Sequence, residues 1–185
     1  MSGPRARMFV ALDLPPSARD RLVEWRDRLI ADRDDLRPVR PEALHVTLVF
    51  LGWQDESAAE RIAEATFDSV GRAEPPLLTP AVVRPVPPRD PRLFALDLDD
   101  EDDRARKVQA AVSRALEEGR WYRPEKRPFW PHMTLARVKR GIRRAPPLPD
   151  QAPAGQPFAG AELTLYRSTL RPQGALYEPL ARHPL

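Results

Sequence analysis

The stretch "FVALDL", Phe9 to Leu14, returns as "LFALDL", Leu93 to Leu98, 84 residues later. A second match follows each copy. "HVTL", His45 to Leu48, returns as "HMTL", His132 to Leu135, 87 residues later. Short apolar matches are common in any chain, but two matches in the same order, at offsets differing by three, indicate an internal duplication. A helical pattern follows the first strand of each copy. In the first, "PPSARDRLVEWRDRLIADR", Pro15 to Arg33, is read as a helix: Leu22, Trp25, Leu29 and Ile30 recur at helical spacing after the start signal Pro15-Pro16-Ser17. In the second, "DDRARKVQAAVSRALEEG" carries acids in its first turn and ends at Gly119. Strand–helix–strand is therefore written twice. The architecture expected from this is a pseudo-two-fold pair of lobes rather than a solenoid.

The rest of the chain fits around this frame. All of 1–185 is read as one two-lobed domain, with repeat-like halves at about 8–52 and 92–138 and closing strands at about 158–181. "LRPVRPEA" is expected to be a loop. "DESAAERIAEATFDSVG" is a further helix with Asp55 as its N-cap and Gly71 as its terminator. A short strand is expected around Val82–Val86 and a linker over 145–157. The two closing strands are expected to turn at Pro172-Gln173-Gly174.

Composition narrows the chemistry. The chain has 185 residues, 42% of them hydrophobic, which suffices for a packed core. It has no cysteine, which removes disulfides, thiolate nucleophiles and thiolate metal sites. No apolar run approaches the roughly 20 residues that span a bilayer, and the N-terminus reads poorly as a signal peptide. The cytoplasm is the expected compartment, with no membrane partner. The net charge is +3, and arginine dominates the 30 basic residues. The guanidinium fork suits phosphate, although a codon bias toward Arg, Pro and Ala explains the same count. There is no Gly-rich phosphate loop, so ATP is not implicated.

Residues two apart on a strand share a face. His45 and Thr47 therefore project together, as do His132 and Thr134. A pseudo-dyad would bring both pairs to one cleft, and two imidazoles there supply an acid and a base near neutral pH. The hydroxyls can donate to phosphate oxygens. In-line displacement at phosphorus needs this set and no metal; the third histidine, His183, lies near the C-terminus. Strict alternation puts Arg137 with Met133 and Leu135, away from His132, unless the strand twists, bulges or ends. Arg127 and Phe129 are candidates for phosphate or base contacts, with core or hinge packing as the alternative for Phe129 and its neighbour Trp130.

These residues resemble a known family. "RMFVALDLP", "RPEALHVTLVFLG", "RPFWPHMTLAR" and "LTLYRSTLRPQGALYEPLARHPL" are similar, in order, to the RNA 2′,3′-cyclic phosphodiesterases, also called 2′-5′ RNA ligases, of the two-histidine phosphoesterase superfamily. The resemblance implies an α+β fold class, bilobal and pseudo-two-fold, with antiparallel sheets lining a central cleft and helices outside; it implies hydrolysis of a 2′,3′-cyclic phosphate to a 2′-phosphomonoester, with 2′-5′ ligation as the reverse reaction. It implies His45 as proton donor, His132 as proton acceptor, and Thr47, Thr134 and Arg137 as phosphate contacts. It implies no cofactor, no metal, and a monomer acting on RNA with a 2′,3′-cyclic phosphate end, such as tRNA fragments, or on small nucleotides. Two rivals remain open at this stage: a related enzyme for a small cyclic phosphate such as that of ADP-ribose, and a non-catalytic RNA-binding module.

Overall fold

A computed structural model of the chain describes residues 3–71, 73–143, 145–149, 153, 156–171 and 174–185. In chain order the elements are β1 (Arg5–Asp13), α1 (Pro16–Leu29), β2 (Leu36–Pro38), β3 (His45–Asp55), α2 (Ala59–Val70), β4 (Leu77–Val86), β5 (Leu93–Asp100), α3 (Arg104–Glu118), β6 (His132–Val138), β7 (Phe158–Ala159), β8 (Glu162–Arg171) and β9 (Gly174–Pro184). The strands form two antiparallel sheets, ordered β3-β1-β8-β9 and β2-β6-β5-β4-β7. The α+β class implied by the resemblance is what the chain adopts. No described helix is long and apolar enough to cross a membrane.

The duplication extends to strand register. In the first half, Asp13 sits opposite His45 and Ala11 opposite Thr47. In the second, Asp97 sits opposite His132 and Ala95 opposite Thr134. The register then slips by one residue in both halves. Val10 faces Val49 and Phe9 faces Phe50, so Leu48 is the extra residue. Phe94 faces Ala136 and Leu93 faces Arg137, so Leu135 is the extra residue. These are equivalent β-bulges, each inserting one residue and reversing the alternation beyond it. Hence Leu48 and Val49 both face the core, as do Leu135 and Ala136.

One apolar core joins the faces of the sheets that look away from the cleft. It includes Met8, Val10, Leu12, Val46 and Leu48 from the first half and Phe94, Leu96, Leu98, Met133 and Leu135 from the second. The helices cover it. Ile62 of α2 and Val108, Val112 and Leu116 of α3 are fully or nearly fully buried against it. Burial of such side chains, at roughly 1.5–3 kcal/mol each, holds the two strand pairs at a constant spacing.

Three local expectations need correction. Residues 36–38 are not loop but the edge strand β2. Leu36 is buried and lies opposite Val138, which makes a three-residue ladder stable although its last residue is Pro38. Asp55 does not cap α2; it ends β3, its carboxylate lies 3.9 Å from Arg5, and a single 3₁₀ turn (Glu56–Ala58) intervenes before the helix. The first helix stops at Leu29 rather than running on to Arg33. In α3 the cap comes from the preceding strand. The Asp100 carboxylate accepts the backbone N–H groups of Ala105 and Arg106 at 2.8 and 2.9 Å, satisfying two donors that the first turn leaves free. Much of the 145–157 linker, and the turn residues Pro172 and Gln173, lie outside the described residues.

Candidate active site

His45, Thr47, His132, Thr134 and Arg137 line one cleft of about 830 Å³. Each half delivers its His and Thr from the first and third positions of a strand, β3 or β6, before the bulge. The bulge at Leu135 then turns Arg137 to the cleft, opposite Leu93, so alternation along an unbroken strand does not hold for it. Arg127 is exposed on the loop before β6, and Phe129 packs partly buried on the core; neither lines the cleft. His183 is remote, stacked on Phe67 of α2 at 5.2 Å.

The two histidines occupy different surroundings. His132 is fixed on both sides. Its Nδ1 lies 2.7 Å from the Trp130 backbone carbonyl, which can only accept, so Nδ1 carries the proton and neutral Nε2 is left as an acceptor. The Trp130 indole stacks on the imidazole, with centroids 3.8 Å apart and planes within 13°. Trp130 is itself held by an Nε1–H bond to Asp97 at 2.9 Å, and Asp97 also receives Arg84. Burial pulls the His132 pKa below its ordinary value, while the Trp130 carbonyl and the Asp97 charge oppose this.

His45 lies on an aromatic floor. Its ring is 5.0 Å from Phe9, 5.4 Å from Tyr177 and 5.9 Å from Tyr166. Its Nε2 is 3.1 Å from Thr47 Oγ1, and its Nδ1 is buried without a hydrogen-bond partner of good geometry. Burial lowers its pKa to about 4; the Ala43 backbone acts the other way, and the charges of His132, Arg137 and Arg19 depress it further. Beneath the floor, Asp13 is buried and accepts hydrogen bonds from Thr164 at 2.7 Å and from the Tyr166 hydroxyl at 2.8 Å. Burial and the Asp13 charge push the Tyr166 hydroxyl pKa up, so it stays a donor.

The cleft is cationic. Arg37, Arg40, Lys139 and Arg140 join Arg137 along the β2–β6 side, with Arg7 and Arg171 across from them, and no Asp or Glu among the described residues lines it. Arg37 and Arg137 are direct cross-strand neighbours. Like charges opposite each other are unfavourable in an antiparallel pair, so this arrangement suits an anion seated between them. The sequence reading missed Trp130 as the positioning residue for His132, and it missed Arg37. It also missed Phe50, five residues after His45, although Arg137 stands five residues after His132. The shared spacing was the available signal.

The chain is similar to known proteins in sequence and in fold. A family model described as the 2′-5′ RNA ligase superfamily matches residues 14–169. An RNA 2′,3′-cyclic phosphodiesterase of Thermus thermophilus is 31% identical, over 97% of this chain and 90% of its own. One of Escherichia coli is 30% identical, over 100% and 99% respectively. Among solved structures, a Thermus thermophilus protein superposes with a TM-score of 0.76 at 31% identity, covering 97% of each chain. Escherichia coli LigT, crystallised with NADP+, gives 0.75 at 25% identity, covering 100% of this chain and 99% of its own.

Proposed function

The chain belongs to the 2′-5′ RNA ligase superfamily, and on that footing we propose that it hydrolyses RNA or nucleoside 2′,3′-cyclic phosphates to 2′-phosphomonoesters. His132 takes a proton from water through Nε2. The water oxygen bonds to phosphorus, the bond from phosphorus to the 3′-oxygen breaks, and His45 protonates that oxygen. Thr47, Thr134 and Arg137 hold the non-bridging oxygens. With an RNA 5′-hydroxyl in place of water, the same groups form a 2′-5′ linkage.

One observation carries the reading. Two His-x-Thr pairs, from equivalent register positions of a duplicated strand pair, open into one cleft rich in cations and, among the described residues, without a carboxylate. The tautomer of His132 fits a base, because Trp130 occupies the other nitrogen. His45 must be charged to act as an acid, yet in the free protein its pKa is about 4. A bound phosphate anion supplies the missing stabilisation of the imidazolium, so the acid is charged when substrate is present.

Phosphorus NMR on a nucleoside 2′,3′-cyclic phosphate tests this directly. The expected product is the 2′-monophosphate alone. A 3′-monophosphate, or no turnover with folded protein, refutes the assignment.

A further inference from the structure

The repeated hexad carries one more correspondence. Its fifth residue is Asp13 in the first copy and Asp97 in the second. Each lies directly opposite the histidine of its half, His45 or His132. Each carboxylate also accepts a hydrogen bond from an aromatic side chain stacked on that histidine. Asp13 takes the Tyr166 hydroxyl at 2.8 Å, and the Tyr166 ring lies 5.9 Å from His45. Asp97 takes the Trp130 indole N–H at 2.9 Å, and the indole lies 3.8 Å from His132. The two rings come from unrelated parts of the chain, β8 and the stretch between α3 and β6, so what the halves share is the carboxylate. The Asp97 side chain is 14% exposed and also receives Arg84 from β4. Trp130 is 37% exposed, so burial alone does not hold its ring. Its backbone is held by its neighbours: Phe129 packs on the core, and the Pro131 carbonyl accepts the Leu98 N–H at 3.0 Å. The indole has one polar group, and Asp97 holds it.

We propose that Asp97 is a positioning residue for the candidate base, acting on His132 through the Trp130 indole. The proposal rests on the phosphodiesterase reading above. The Nδ1 hydrogen bond fixes one atom of the imidazole and leaves its plane free to tilt. An indole face within 13° of parallel removes that freedom and sets the direction of Nε2. Misplacing a reacting group by about 1 Å can cost on the order of 10²-fold, so the anchor of the indole bears on the rate. The Asp97 charge adds a second effect. Burial lowers the His132 pKa, and the Trp130 carbonyl and the Asp97 charge oppose it. Arg84 of β4 stands behind Asp97. Arg137 on the same strand, Arg37 on β2 and His45 on β3 share the cleft with His132. Among the described residues no other carboxylate offsets these cations there, so without the Asp97 charge the base is weaker.

The test combines kinetics on adenosine 2′,3′-cyclic phosphate with histidine NMR. Asp97→Ala is expected to lower kcat by about 10- to 100-fold with KM little changed, since a misaimed base is felt in the transition state. Trp130→Phe, which lacks the N–H, should lose as much, and the double variant little more than either. Asp97→Asn keeps an acceptor for the indole and should retain most of kcat. It should also move the acid limb of the kcat/KM profile to lower pH, the direction expected when a neighbouring negative charge is removed. Wild-type kcat in Asp97→Ala, a loss carried by KM, or Asp97→Asn as slow as Asp97→Ala overturns the proposal. Should Asp97→Ala not fold, Trp130→Phe against Asp97→Asn decides in its place, equal kcat values overturning the proposal. The chain has three histidines, so the ring protons of His132 are assigned by difference from His132→Gln. The indole ring current displaces them upfield in the wild type, and Asp97→Ala should lose that displacement; a retained displacement overturns the proposal. If wild-type protein turns over no cyclic phosphate, the phosphodiesterase reading itself fails, and the NMR result decides the positioning.

Discussion

At the scale of single residues, the site couples two imidazoles that both prefer to be neutral in the free protein. The proposed mechanism nevertheless needs His45 charged and His132 neutral. With His45 at about 4 and His132 below its ordinary value, kcat/KM should peak below pH ~6.5, the unperturbed imidazole value. It should fall on the alkaline side as His45 loses its proton and on the acid side as His132 gains one, with limbs that belong to the pair. Bound phosphate raises both values, so kcat should peak at higher pH than kcat/KM. Stopped-assay pH profiles check this order. His45→Gln is expected to flatten the alkaline limb and His132→Gln the acid limb. Each should cost about 10²–10⁴-fold, and the double variant far less than the product of the two. The histidines and threonines were legible in the sequence because period-two alternation fixes which side chains share a face. The stacking of Trp130 was not, because it depends on a loop approaching β6 from outside the repeat pattern.

At the scale of elements, the two bulges decide what enters the cleft. Sequence periodicity predicts a strand but reads straight through an inserted residue, which is why it pointed Arg137 away. The trace left in the sequence is the doubled apolar pair, Leu48-Val49 and Leu135-Ala136, where alternation calls for a cleft-facing residue. Strand β2 escaped notice because three residues ending in a proline carry no period; its stability comes from the Leu36 side chain and the ladder to β6. This edge also sets a trade between stability and binding. Arg37 and Arg137 face each other across the ladder, with no acid among the described residues lining the cleft between them. Removing one charge should stabilise the free protein by ~0.2–1 kcal/mol, about 0.4–4 °C in Tm for a chain of this size. Arg37→Thr is therefore expected to melt slightly higher and to raise KM. Inorganic phosphate should raise its Tm less than that of wild type. Thermal melts with and without phosphate measure both effects.

For the molecule as a whole, the duplicated strand pairs share one core, so the geometry between the two His-x-Thr sets is set by packing rather than by a hinge. The pairing of halves was legible from two short matches. The order of strands within each sheet was not, since β8 and β9 join the first sheet from the far end of the chain and no local pattern encodes so distant a partner. Burying neutral histidine also has a cost to the global fold. Between pH ~6.5 and about 4, the unfolded chain holds more protons at His45 than the folded one does. Stability from this group is therefore full above the unfolded value, declines as pH falls through that window, and levels off below the folded value. His45→Gln should remove ~1–3 kcal/mol of acid sensitivity. The Tm difference between variant and wild type, followed from pH 8 to pH 4, is expected to shift in the variant's favour as acid is added.

The stacking of Trp130 on His132 at 3.8 Å also makes the candidate base observable by light. An imidazolium in contact with an indole quenches its emission far more than a neutral imidazole does. The fluorescence lost on replacing Trp130 with Phe is the signal of that indole alone, separated from Trp25, Trp53 and Trp121. Its intensity against pH should trace the protonation of His132 in the resting protein. The midpoint should move upward when inorganic phosphate fills the cleft, reporting the charge on the base without any turnover. A midpoint unmoved by saturating phosphate would show that anion and imidazole do not share the cleft.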